Sequence, residues 1–145
     1  MVINEAISIA RKPESIWQYW MNVSNDIHWR NGITKAVWTS EPPYGIGSTG
    51  EHTHKDMGVM NWEVTSFNDG SSFEFIHTAG GLKGSIAIFN VESENNGSRV
   101  NVQMRISGPL IMRIMMHFMA GIMRKGVRGD LYKLKELMEK QDSDA

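Results

Sequence analysis

The sequence predicts an α+β domain in which a seven-stranded, curved antiparallel sheet wraps around one long C-terminal helix, with two short helices after the first strand. Three observations carry this prediction. Strand patterns fill almost all of residues 33–107, two short helix patterns follow directly on the first strand, and residues 109–140 keep helical periodicity throughout. A sheet of this size with a single long helix to cover it must curl around that helix. Curling leaves a hollow where side chains of sheet and helix fail to meet.

Each element has its own signal. Residues 2–10 alternate, with Ile3, Ile7 and Ile9 against Asn4 and Ser8, which is a strand. Lys12-Pro13-Glu14-Ser15 starts a helix, Pro13 suiting its first turn and Glu14 its dipole, and Ile16, Trp17 and Trp20 give it an apolar face. Ser24-Asn25-Asp26 can cap a second short helix carrying Ile27, His28 and Trp29, which Gly32 ends. Strands are then predicted near 33–40, 47–55, 59–67, 72–78, 84–92 and 98–107, separated by turns such as Asn68-Asp69-Gly70 and Asn95-Asn96-Gly97. In the last strand Val100, Val102, Met104 and Ile106 face one way and Arg99, Asn101, Gln103 and Arg105 the other, so one face is buried and one wet. The final run is apolar nearly all round at first, with Met112, Met115, Met116, Met119 and Met123 among eleven methionines. It then narrows to one stripe, Val127, Leu131, Leu134 and Met138. Thirty-two helical residues would span roughly 48 Å. Residues 1–140 read as one domain and 141–145 as a polar tail.

Bulk composition narrows the function. Fifteen basic and sixteen acidic residues give a formal charge of −1, which argues against a nucleic-acid partner. There is no cysteine, so disulfides, thiolate metal sites and cysteine nucleophiles are excluded. The N-terminal residues go straight into strand pattern rather than a charged-then-apolar leader, and Arg113 and His117 break the longest apolar run. The expectation is a cytoplasmic protein without stable membrane insertion.

The residues that give the sequence a family likeness are the strand-to-helix junction Ile9-Ala10-Arg11-Lys12-Pro13-Glu14-Ser15-Ile16-Trp17, Trp29 before the second strand, Gly45-Ile46-Gly47-Ser48, Asn96-Gly97-Ser98-Arg99-Val100 and Leu134-Lys135-Glu136-Leu137. In order and spacing they resemble the polyketide cyclase/dehydrase-like branch of the START-related SRPBCC superfamily, over residues 2–139. The resemblance implies the helix-grip fold shared with birch-pollen-type allergens, and a cavity between sheet and C-terminal helix for a small hydrophobic molecule. Lipid, isoprenoid and aromatic polyketide-like ligands all fit it. It implies no cofactor and supplies no catalytic motif. It also implies that alternate residues of the strand after Gly47 point inward, which places Gly50, His52 and His54 inside.

His52 and His54 sit two apart on one strand and so share a face. Such a pair can hold a metal, but no third ligand follows, so no metal is expected. Their functional reading is hydrogen bonding or acid/base work in an apolar pocket, where burial lowers their pKa. Met60, Trp62 and Val64 share a face of the next strand, and Trp62 would make a flat wall. Phe73, Phe75 and His77 share a face of the strand after that, unless a bulge turns Ile76 and Thr78 inward instead. Ile86 and Ile88, Val102 and Met104, and Met115, Phe118, Met119 and Ile122 of the long helix complete the expected ligand lining. Gly121, Gly126 and Gly129 point to a kink or a close approach of helix and sheet, and Arg124, Lys125 and Arg128 form a basic patch.

Three function classes remain open at this point. One is a non-catalytic binder of a small hydrophobic molecule. Another is a cyclase or dehydratase using His52 or His54 as general acid/base. A third is an interaction module that exposes Leu110, Met112, Met116 and Met119 to a partner, a second copy of the chain included.

Overall fold

The structure, a computed structural model, describes residues 1–143. It has the helix-grip α+β architecture. The elements are β1 (Val2–Ile9), α1 (Pro13–Met21), a 3-10 turn (Val23–Asn25), α2 (Asp26–Trp29), β2 (Ile33–Trp38), β3 (Thr49–His54), β4 (Gly58–Asn68), β5 (Ser72–Ala79), β6 (Ile86–Glu94), β7 (Gly97–Arg105) and α3 (Leu110–Ser143). α3 continues past Lys140, so residues 141–143 of the expected polar tail are helical; Asp144 and Ala145 lie outside the described residues.

The strands form one antiparallel sheet in the order β1-β7-β6-β5-β4-β3-β2. Consecutive strands pair as hairpins from β2 to β7, and β1 closes on β7 along its whole length. Register fixes which residues face inward, because directly opposed residues of an antiparallel pair share a face. Trp62 opposes His77 and Val64 opposes Phe75; Phe75 opposes Ala87, Phe73 opposes Phe89, and Phe89 in turn opposes Val102. Two register shifts fall on the long strand β4, between Asn61 and Trp62 and between Val64 and Ser66. Bulges there sharpen the twist and help the sheet curl.

The inner face packs into one core with α1, α2 and the second half of α3. Ile16 and Trp20 of α1, Trp29 of α2, and Leu131, Leu134 and Met138 of α3 are all buried in it. α3 runs along the edge strand β1. Arg128 donates to both carboxylate oxygens of Glu5 (3.0 and 3.3 Å), Lys135 Nζ to the Ser8 carbonyl (3.0 Å), and the Ala10 amide to Glu139 (3.0 Å). These ties come from residues 128–139.

The first half of α3 departs from expectation. Leu131, Leu134 and Met138 fix the rotation of the helix, and counting back from them in steps of three or four residues brings Val127, Met123, Ala120 and Met116 to the sheet side, where they are half-buried. Met115, Phe118, Met119 and Ile122, expected in the ligand lining, are exposed instead. The helix is continuous through Gly121, Gly126 and Gly129, and a Cβ at any of the three would meet nothing. A close approach of sheet to helix is therefore not the reason for these glycines.

Candidate functional site

The site starts from a departure in local structure. Asp26 does not cap α2; no side-chain cap bond closes that helix. The preceding 3-10 turn swings Asp26 inward, where it is buried. Its Oδ1 accepts the indole N–H of Trp29 (3.2 Å), and its Oδ2 lies 2.8 Å from His52 Nε2. Arg30, one helical turn after Asp26, reaches Oδ2 at 3.5 Å and His52 Nε2 at 3.4 Å. A carboxylate only accepts, so Nε2 of His52 carries the proton and donates, leaving Nδ1 as the basic nitrogen. Burial lowers the pKa of His52; the bond to Asp26 pulls it back up and the Arg30 charge adds to the lowering. The imidazole is thus a neutral, oriented base inside the fold.

Around this pair stands a box of rings. His52 lies 5.4 Å from Trp62 between ring centroids, Trp62 lies 4.9 Å from Phe75 and 5.1 Å from Trp38, and Trp20 lies 5.5 Å from Phe89. The Arg30 guanidinium sits 5.9 Å over the Phe89 ring, a cation–π contact. Gly50, the cross-strand partner of Trp62, makes this possible: its missing side chain is where the indole lies, and a Cβ there would collide with the ring.

The sequence predicts a hollow between the sheet and the C-terminal helix. The enclosed space that this box forms lies instead between the sheet and the short helices, with no α3 residue in its lining, and it is nearly filled. The box, lined by Trp20, Asp26, Trp29, Trp38, His52 and Trp62 among others, encloses only about 10 Å³, room for one water at most. Of the five tryptophans, Trp17 donates to Asp69, Trp29 to Asp26 and Trp38 to the Met21 carbonyl. Trp20 and Trp62 both border the void, and their buried indole N–H groups have no partner among the described residues. Outside Trp29 lies an open cleft of about 460 Å³ between α2 and α3, walled by Ile27, Arg30, Gly126, Gly129 and Asp130. Trp29 borders both spaces. Asp130 holds the cleft wall by accepting the Asn31 amide (3.0 Å), while burial raises its pKa.

The other expected residues divide clearly. Met60, Val64, Phe75, His77 and Val102 are buried, and Met104 is half-buried against the core. His77 donates Nδ1–H to the Ser85 carbonyl (3.2 Å), and its pKa is lowered to about 4 by burial. His54 does not join His52. Its Nδ1 accepts the amides of Asp56 (3.0 Å) and Met57 (3.3 Å), closing the β3–β4 turn, and its ring lies where a Gly32 side chain would be. Ile86 and Ile88 face away from the core, because Ala87 and Phe89 oppose Phe75 and Phe73 and take the inner positions. Among the described residues no cluster of three or more metal-ligating side chains stands together. Sequence reading missed Asp26, Arg30, Trp20, Trp38 and Phe89 as site residues. The Asp26–Arg30 spacing was the one available signal, and it does not say which way the pair points.

A family model described as polyketide cyclase / dehydrase and lipid transport matches residues 2–139. The chain belongs to this family. No curated protein matches it significantly. Among solved structures it is similar to the Aha1 dimer from Colwellia psychrerythraea, at 22% identity over 96% of both chains with a TM-score of 0.69. It is also similar to a protein from Thermus thermophilus, at 14% identity over 97% of this chain and 99% of that one with a TM-score of 0.76. The third is the di-domain ARO/CYC StfQ of the steffimycin biosynthetic pathway, at 11% identity and a TM-score of 0.74; the match covers 98% of this chain and 51% of StfQ. At these identities the likeness is one of fold. The fold is of the kind that binds hydrophobic ligands, and no helix among the described residues is long and apolar enough to cross a membrane.

Proposed function

We propose that this member of the family binds a small, flat, largely apolar molecule carrying a hydrogen-bond acceptor, such as an aromatic ketone of the polyketide type. One observation carries the reading: two tryptophans whose buried indole N–H groups have no partner among the described residues line the same ring-walled void as an Asp–His pair. Each such donor costs roughly 1–3 kcal/mol while unpaired, and an acceptor on a ligand recovers that cost. Ring walls favour a flat guest over a flexible acyl chain. Admission needs the box to widen. Trp29, standing between void and cleft, is the side chain whose displacement would join them into one ligand space.

The test is a titration of the protein with 2-acetylnaphthalene and with naphthalene, followed by tryptophan fluorescence. The acetyl compound should bind about tenfold more tightly, one acceptor bond being worth that much in a dry site. Trp62→Phe should remove the preference while leaving naphthalene binding in place. Equal affinities for the two compounds, or no quenching by either, overturns the reading.

A second reading, proton transfer on the bound ketone, is favoured by the 2.8 Å Asp26–His52 contact, which leaves Nδ1 as a general base. Exchange of the methyl protons of 2-acetylnaphthalene in D2O, measured by NMR, decides it. Catalysed exchange that His52→Gln abolishes supports an enzyme; exchange at the buffer rate leaves a binder.

A further inference from the structure

The cleft between α2 and α3 has a chemistry of its own. It holds about 460 Å³, within the range of small-molecule sites, and it is open to solvent. Gly126 and Gly129 of α3 both line it, and a Cβ at either would meet nothing. Glycine is the least favourable residue after proline in a helix interior, so this pair weakens α3 without easing any contact. What the missing side chains leave is room in the cleft. Ile27 and Trp29 add apolar surface to its lining.

The charged part of the lining is mostly basic. Arg30, Lys125 and Lys133 stand there with His28, against one carboxylate, Asp130. Asp130 spends an oxygen on the Asn31 amide (3.0 Å), and burial raises its pKa against the pull of that bond and of Arg30. Lys133 meets only the exposed Glu136, at 3.8 Å, and Lys125 forms no ion pair among the described residues. Arg30 is the most sheltered of the cations. Its side chain is 16% exposed, and it approaches Asp26 and His52 through Nη1 alone, so Nε and Nη2 have no acceptor among the described residues. Asp26 and His52 belong to the lining of the ring box and not to that of the cleft.

We infer that this cleft binds the anionic group, a carboxylate or a phosphate, of a small ring compound whose flat part lies against Ile27, Trp29 and the two glycines. Arg30 takes two oxygens of the anion through Nε and Nη2, the planar fork suited to both groups, and Lys125 and Lys133 add charge from α3. Lysines in open water would hold an anion only weakly; a guanidinium sheltered from solvent holds it better. The inference concerns the cleft alone. The reading of the ring box is tested with uncharged compounds, so either can fail while the other stands.

Titration of the whole 15N-labelled chain with 2-naphthoate, 2-naphthyl phosphate and the uncharged 2-naphthamide, followed by amide NMR shifts, tests it. Both anions should bind at least about tenfold more tightly than the amide, and less tightly as salt is raised. The shifts should fall on residues 27–33 and 125–133, and the tighter of the two anions identifies the group. Gly126→Gln with Gly129→Gln fills the cleft with uncharged, helix-favouring side chains. That variant should lose about tenfold or more in affinity for both anions, with a urea midpoint no lower than the parent's. Lys125→Gln with Lys133→Gln should weaken both anions about threefold or more and leave the amide unchanged, so the result stands if the first variant misfolds. Equal affinity for anions and amide, or no binding of any of the three, overturns the inference. So do shifts confined to the strands of the ring box, or anion binding that neither double variant weakens.

Discussion

Residues 110–127 and 128–143 of α3 form one unbroken helix, yet they differ in what they do for the fold. The second half has the fewer apolar residues and carries the core: Leu131, Leu134 and Met138 are buried among side chains from α1 and the sheet, and hydrogen bonds to β1 hold the helix in place. The first half is far more apolar and leaves most of it in water. A narrow stripe has one way to be satisfied, so it determines how the helix is rotated. A segment that is apolar on every side can turn only one face to the sheet, and the remaining faces stay outside. Abundance of hydrophobic residues is thus a poor guide to which half stabilises the domain.

Truncating each half is the most direct way to break this contrast. Leu134→Ala, at a fully buried position, should cost about 2–5 kcal/mol in urea unfolding. Phe118→Ala should stay within about 0.5 kcal/mol of the parent. Comparable losses at the two sites would mean that the first half of α3 packs against something in solution.

The interior also responds to acid through a buried histidine. His77 is buried and binds a proton only near pH 4, whereas the unfolded chain binds one near pH 6.5. Between those values the unfolded state holds more protons. The His77 contribution is therefore fully present above pH 6.5 and is lost as pH falls through that window, by about 3 kcal/mol in all. His77→Asn keeps a donor for the Ser85 carbonyl and removes the titration. Its stability, followed by chemical denaturation from pH 7 to pH 4, should fall less steeply than the parent's by about that amount.

A smaller effect sharpens the account of the ring box. Gly50→Ala places a methyl group where the Trp62 indole lies, and should cost about 1–3 kcal/mol with a shift in tryptophan emission. The smallest effect is expected where α3 is tied down at the surface. Arg128→Ala removes a solvent-exposed ion pair with Glu5, and should lower the urea midpoint only slightly, by less still at high salt.

Much of the fold was legible in the chain because its signals are local. Period-two alternation in β7, glycine-bearing turns, and the Val127–Leu131–Leu134–Met138 stripe each depend on neighbouring residues alone, so strands, hairpins and the long helix could be placed to within a few positions. The site was only partly legible. Histidine at 52 and tryptophan at 62 are visible on their strands, but Asp26 looks like a helix cap in sequence and becomes a buried partner only through a 3-10 turn. His54 shares the parity of His52, yet it is spent on the turn beyond it. Ile86 and Ile88 are as apolar as Phe89, and pairing with β5 decided which of them faces inward.

The sequence by itself therefore determined the order and kind of the elements, and the residues able to form a core. Only the tertiary structure decided that aromatic rings and an Asp–His pair would leave a void no larger than a water between the sheet and the short helices, and that the most apolar stretch of the chain would lie outside. The physical reason is that hydrophobicity sets how much surface seeks burial, while register and helix rotation, fixed by contacts far apart in the chain, set which surface obtains it.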